Sequence, residues 1–214
     1  FKGYGLSEFK NSYIQEFNLI CPVTTNDSGP YLKVYDDDVL DFELKYGVDF
    51  KEDMINFRNN TFSFSNADKV VISQNNTYNV IVDSLKNNKT ISLHVPFSNE
   101  EKTISNVVGM IKGSNSSLTP LVITAHFDHL GSDAAGNLYG GALDNASGTS
   151  FILELARSLS TYAKPKRDII FVALNAEELG LLGSKNFAEN NIFDLKGSQV
   201  INFDMIGSGD VPIT

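Results

Sequence analysis

Two short stretches, residues 121–125 (Leu-Val-Ile-Thr-Ala) and 168–174 (Asp-Ile-Ile-Phe-Val-Ala-Leu), are nearly unbroken runs of apolar, β-prone residues that stop abruptly at polar ones. A strand with water on one face alternates, whereas a continuous apolar run marks a sheet strand covered on both faces. Around these runs the sequence predicts a strand at 107–111, a helix at 147–160, a helix at 178–190 and a strand at 199–203. Strands and helices in alternation predict a doubly wound α/β layer.

The earlier part of the chain has a different texture. Leu6, Phe9, Tyr13, Ile14 and Phe17 fall at helical spacing behind Ser7 and Glu8, which predicts a core-packing helix with Ser7 as its cap. A turn at Asn26, Ser28, Gly29 and Pro30 leads to a strand at 31–34 and the acidic run Asp36, Asp37, Asp38. Three adjacent carboxylates without the ligand spacing of a calcium loop read as a solvated turn. Residues 50–101 hold short β-prone runs at 69–73, 78–82 and 91–95 between Asn-rich turns, a small β-rich insertion. His94, inside one of those runs, reads as structural. The expected division is 1–49, 50–101 and 102–214, with no internal repeat.

Charge and composition narrow the partners. A chain of 214 residues is long enough to bury a core. The formal net charge of −9, with no Lys/Arg patch, argues against nucleic acid, which needs a basic face to displace counterions. No apolar stretch approaches the roughly 20 residues of a membrane span. The one thiol, Cys21, permits no internal disulfide and reads as an apolar filler. The start at Phe1, without methionine or a signal-like run, reads as a processed form, and the chain is expected to be secreted or extracytoplasmic. Nothing in the sequence specifies an oligomeric state.

In open α/β sheets functional groups gather where strands end at their carboxyl edge. His126, Asp128 and His129 follow the first apolar run, Glu177 and Glu178 follow the second, Asp204 follows the strand at 199–203, and Asp144 precedes a helix. Singly, each has a plain structural explanation: Asp144 as a helix cap, Glu177 and Glu178 as an acidic first turn favoured by the helix dipole. Jointly, they fall on one predicted edge. Asp144 lies in the glycine-rich loop Gly-Gly-Ala-Leu-Asp-Asn-Ala-Ser-Gly at 140–148, which lacks the Gly-Lys-Ser/Thr of a phosphate loop and any basic residue.

Four ordered motifs carry a resemblance: His-Phe-Asp-His-Leu-Gly at 126–131, Leu-Asp-Asn-Ala-Ser-Gly at 143–148, Asn-Ala-Glu-Glu-Leu-Gly-Leu-Leu-Gly-Ser at 175–184 and Asn-Phe-Asp-Met-Ile-Gly at 202–207. The stretch 104–207 resembles the zinc exopeptidase family of bacterial leucyl aminopeptidase, aminopeptidase Y and glutamate carboxypeptidase. The resemblance implies a three-layer sandwich around a mostly parallel mixed sheet, two zinc ions and a peptide substrate. It implies that His126 and Asp204 bind one zinc, Glu178 the other, and Asp144 both. Asp128 would accept the second imidazole N–H of His126, and Glu177 would be the general base that takes a proton from the attacking water. The family also carries a cis peptide after the bridging aspartate, here Asp144-Asn145. His129 either supports the site or packs behind it. Residues 50–101 also resemble a reduced protease-associated segment.

The family supplies one more histidine well after Asp204, and the only histidines here are His94, His126 and His129. The expectation is therefore a chain with the C-terminal part of the fold missing, little or no peptidase activity, a second ion held only weakly by Asp144 and Glu178, and one zinc ion or none in place of the family's two. A single-zinc relative of glutaminyl cyclase and a non-catalytic, receptor-like binding module that retains the fold are the competing readings.

Overall fold

The computed structural model describes residues 1–9, 11–24, 29–52, 61–63, 69–72, 75–94, 97–132, 136–189 and 195–207. The chain divides into two compact units, one of residues 1–19, 102–131 and 139–214, the other of residues 20–101 and 132–138.

The chain opens with a single 3-10 turn, Lys2–Tyr4, and strand β1 (Ile14–Thr24), in place of the helix that the spacing of Leu6, Phe9, Tyr13 and Phe17 predicts. Gln15 and Phe17 point inward and are buried, while Ile14, Glu16 and Asn18 are exposed, which is the period of a strand. A buried glutamine in the inward row hides that period from a hydrophobicity pattern. Leu6 and Phe9 are apolar for separate reasons, packing into two different clusters of the first unit.

In the second unit β2 (Tyr31–Asp36), β3 (Val39–Leu44), β4 (Phe50–Glu52), β5 (Thr61–Ser63), β6 (Lys69–Ile72), helix α1 (Asn75–Lys86) and β7 (Thr90–His94) form two three-stranded sheets, ordered β3-β2-β7 and β4-β6-β5. Leu32 and Val34 of β2, Phe50 and Ile81 are its buried apolar centre. The run at 78–82, predicted as a strand, lies within α1. Thr77, Ile81 and Ser84 are the buried face at helical spacing, and two of the three are polar. With Val80 and Val82 adding β-branched character, the local preference pointed to a strand and tertiary packing overrode it. The acidic run turns tightly, with Asp37 and Asp38 at φ of 45° and 65°. Lys89 reaches Asp36 at 3.3 Å and Asp41 at 2.7 Å. His94 stacks on Tyr31 with ring centres 5.2 Å apart. The side chain of Cys21 lies outside the described residues.

The first unit is a mixed five-stranded sheet. Strands β8 (Phe97–Ile111), β9 (Leu121–His126), β10 (Ile169–Leu174) and β11 (Gln199–Asn202) join β1 in the order β1-β8-β10-β9-β11. β10 is antiparallel to β8 and parallel to β9, and β11 is parallel to β9. Helix α2 (Gly148–Ser160) packs Ile152 and Ala156 on one face, against Ile123, Ala125, Phe171 and Ala173. Phe187 of α3 (Leu182–Glu189) packs on the other, with Val122, Ile170, Val172 and Leu174. Odd residues of β10 thus meet α2 and even residues meet α3, so all six are apolar and buried. The result is the predicted α/β sandwich, helix over sheet over helix.

Ile152 has no exposed surface in this packing. Ile152→Val removes one buried methylene and is expected to lower unfolding free energy by about 1 kcal/mol. Urea unfolding will read this as a lower midpoint with an unchanged slope.

Candidate functional site

Sheet register places the site. Ala125 and His126 of β9 lie beside Ala173 and Leu174 of β10, and Thr124 lies beside Asn202 of β11. All three parallel strands therefore end at one edge. From β9 the chain crosses through α2 to β10 on one side, then returns through α3 to β11 on the other side. β9 is the point where the winding reverses, and a crevice opens outside the carboxyl end of such a strand.

His126, the last residue of β9, has a side chain only 2% exposed. Its Nδ1 donates to the backbone carbonyl of Asp128 at 3.1 Å. That bond commits the proton of the neutral ring to Nδ1 and leaves the Nε2 lone pair facing outward. Nε2 lies 3.1 Å from Asp144 Oδ1, 3.4 Å from Asp204 Oδ1 and 3.8 Å from Glu177 Oε2, and it is buried without a hydrogen-bond partner. A lone pair facing three carboxylates is unfavourable unless a proton on Nε2 or a metal cation sits among them.

The backbone of Asp144 and Asn145 departs from helical geometry within Ala142–Ser147, and the peptide between them is cis, as the resemblance implies. Asn145, 1% exposed, is the tie that the sequence reading did not single out. Its amide nitrogen donates to the Phe203 carbonyl at 2.9 Å. Its oxygen accepts from the backbone N–H of Gly148 at 2.9 Å and of Met205 at 3.2 Å. The segments bearing Asp144 and Asp204 are thereby fastened to each other. A Cβ at Gly148 would collide with the Asn145 amide and the Phe203 carbonyl, so only glycine fits where α2 begins.

Glu177 and Glu178 do not form the first turn of a helix. They lie in a turn closed by bonds from the N–H groups of Gly180 and Leu181 to the Glu177 carbonyl, and α3 begins only at Leu182. Ala176 enters this turn at φ 54° and Leu181 leaves it at φ 62°, left-handed conformations that interrupt a helix. The Asp128 carboxylate accepts the backbone N–H of Glu177 at 3.1 Å and of Glu178 at 3.2 Å. Oδ1 of the same carboxylate is 3.7 Å from His126 Nδ1, so the bond expected from the carboxylate to the imidazole is made by the Asp128 backbone oxygen instead. Beneath the turn, the fully buried Asn106 accepts the Asn175 N–H and donates to the Gly183 carbonyl and to Gln15 Oε1.

His129 lies with its Nδ1 2.9 Å from Glu178 Oε1. Two groups of potential metal donors result: His126, Asp144 and Asp204, and His129, Asp144 and Glu178. Asp144 belongs to both. The local field follows from these contacts. Burial pushes Glu177 above the usual carboxylate range, with Glu178, Asp204 and Asp128 adding to the shift and His126 opposing it. Burial pulls His126 down, but Glu177, the Asp128 carbonyl, Asp204 and Asp128 outweigh it, and the net shift is upward. Excess negative charge around a buried imidazole with an unpartnered nitrogen is the donor chemistry of a divalent-cation site. A cavity of about 680 Å³ with a largely apolar lining reaches His126, Glu177 and Asp204.

Comparison with known proteins follows the same residues. Residues 106–213 match peptidase family M28. Aminopeptidase YwaD of Bacillus subtilis is 40% identical over 115 residues, which are 52% of this chain and 23% of that protein. A glutamate carboxypeptidase 2 homolog of Caenorhabditis elegans is 35% identical over 127 residues, 56% of this chain and 16% of that protein. Among solved structures, an aminopeptidase from Aneurinibacillus sp. strain AM-1 superposes with a TM-score of 0.66 at 20% identity, over 98% of this chain and 63% of that one. That likeness shows the fold. The chain thus spans less than a quarter of the length of these two curated relatives.

Proposed function

The chain belongs to peptidase family M28, and on that premise we propose that it serves a zinc-dependent exopeptidase of the aminopeptidase type, which releases N-terminal residues from peptides. The observation that supports this most directly is His126 Nε2, buried, without a hydrogen-bond partner, and facing Asp144 and Asp204. His126, Asp144 and Asp204 would hold one zinc ion, and Asp144 and Glu178 would contribute to a second. Zinc bound there supplies Lewis acidity, lowering the pKa of water to about 7 and polarising a carbonyl.

The remaining steps belong to side chains of this protein. Glu177 projects from the turn that Asp128 holds by its amides, with Oε2 3.8 Å from His126 Nε2. It takes the proton from the attacking water and delivers it to the leaving amine. Its neighbour Glu178 faces His129 instead, so adjacent carboxylates do different work. Asp128 positions both and, through its carbonyl, fixes the His126 tautomer. The carboxylates also suit the free α-ammonium of a peptide substrate.

The test is hydrolysis of chromogenic amino-acid amides by the zinc-loaded protein. We expect at most weak cleavage by these residues alone, and that cleavage is expected to be lost on chelation, to return with zinc, and to fail on N-acetylated amides. Equal cleavage of the acetylated compounds would overturn the aminopeptidase assignment, and activity indifferent to chelator would overturn the metal.

A further inference from the structure

We infer that Asn106 is a positioning residue for Glu177, fastening both ends of the turn from which that carboxylate projects. This rests on the reading of Glu177 as the base and adds to it a residue outside the four motifs, one that acts through backbone and touches neither substrate nor ion.

Strand pairing brings Asn106 to the turn. Val107 of β8 lies beside Ala173 of β10, so Asn106 sits where β10 stops at Leu174 and the glutamate-bearing turn begins. The side chain is fully buried, and its carboxamide spans the turn. Oδ1 accepts the N–H of Asn175, at the entrance, at 2.9 Å, and Nδ2 donates to the carbonyl of Gly183, at the exit, at 2.9 Å. Nδ2 also donates to Gln15 Oε1 at 2.9 Å, which holds the carboxamide from β1. An N–H on one side and two oxygens on the other fix which atom of the carboxamide is oxygen and which is nitrogen.

The two ends of the turn meet backbone to backbone. A Cβ at Gly183 would collide with the Asn175 carbonyl oxygen and with Asn106 Oδ1. Between these ends Ala176, Gly180 and Leu181 have φ of 54°, 103° and 62°. Left-handed alanine and leucine are disfavoured, so residues 175–183 keep this shape only where bonds from outside over-determine it. Asp128 supplies such bonds in the middle, at the Glu177 and Glu178 amides, and Asn106 supplies them at the entrance and the exit.

The chemistry of the position suits asparagine. It calls for one acceptor and two donors, uncharged, on a short side chain. Ionised aspartate lacks the donors, serine lacks the second donor, and leucine lacks all three groups.

Hydrogen exchange of the metal-free 214-residue chain, read amide by amide by NMR, tests the assignment. In Asn106→Leu, exchange at the Glu177, Glu178 and Leu182 amides is expected to accelerate about tenfold more than at the Phe171 and Val172 amides of β10. A general loss of stability would speed both sets alike. The cross-relaxation contact between the Glu177 side chain and the His126 ring, whose Nε2 is 3.8 Å from Glu177 Oε2, is expected to disappear. Asn106→Ala, which leaves room for water and disturbs packing less, is expected to give the same two results. Gln15→Leu is the contrast, because it removes a buried bond of the same carboxamide and neither of its bonds to the turn. It is expected to keep the Glu177–His126 contact and to leave the turn amides no faster than those of β10. Equal acceleration in turn and sheet in the Asn106 variants, or a retained contact between Glu177 and His126, would overturn the inference. So would a Gln15→Leu effect on the turn as large as that of Asn106→Leu. None of these readouts involves zinc or turnover, so a failure of hydrolysis counts against the proposed function and not against the hold of Asn106 on the turn.

Discussion

Glu177→Gln is expected to lower kcat on amino-acid amides by about a hundredfold to ten-thousandfold, the usual worth of a general base, while zinc binding stays intact. Glutamine has nearly the same shape, and what holds the turn is backbone: the Glu177 and Glu178 amides on the Asp128 carboxylate, and the Gly180 and Leu181 amides on the Glu177 carbonyl. None of these bonds uses the Glu177 side chain. The change therefore removes the ability to accept a proton and little else. Glu178→Gln gives the useful contrast, since it is expected to weaken zinc at the second site as well as slow turnover. Side-by-side zinc titration and steady-state kinetics read the two effects separately. Loss of zinc in Glu177→Gln, or a drop in kcat of less than tenfold, would remove Glu177 from the role of base.

The difference between those neighbouring carboxylates shows what the sequence makes legible. The apolar runs that become β9 and β10 are unambiguous because both faces of the sheet are covered, and an unambiguous strand locates its own end. His126, Glu177, Glu178 and Asp204 could thus be placed on one edge without knowing the pairing order. Which oxygen faces which nitrogen was not legible. It depends on the left-handed residues Ala176 and Leu181, which delay α3 to Leu182 and leave both glutamates in a turn. Neither alanine nor leucine announces that conformation.

The misread segments share a different cause. In β1 and in α1 the buried face carries polar residues: Gln15 in one, Thr77 and Ser84 in the other. Gln15 Oε1 accepts a hydrogen bond from Asn106, which in turn accepts the Asn175 N–H just before the glutamates, while Gln15 Nε2 is buried without a partner among the described residues. Periodicity arguments treat a buried polar residue as an exposed one, so they fail where hydrogen bonding satisfies a polar group inside. The same blindness concealed Asn145, whose sequence neighbourhood resembles a glycosylation acceptor and whose side chain is instead sealed between two site-bearing segments.

That seal leads to the second large effect. Gly148→Ala is expected to lower unfolding free energy by about 3 kcal/mol, adding an overpacking cost of about 1–3 kcal/mol to the disturbance of buried hydrogen bonds. The new methyl group would have to displace the Asn145 amide, the Phe203 carbonyl, or both. Those two groups are bonded to each other, and Asn145 also holds the N–H groups of Gly148 and Met205, so either movement pulls on the segments carrying Asp144 and Asp204. Stability and the first zinc site should therefore fall together, with zinc affinity there reduced at least tenfold. Ser150→Ala, on the exposed side of the same helix, should change unfolding free energy by no more than about 0.5 kcal/mol. Urea unfolding of the metal-free protein and zinc titration measure the two consequences independently. A destabilised Gly148→Ala with undiminished zinc affinity would show that Asp144 and Asp204 are positioned separately, and that Asn145 ties the fold without tying the site.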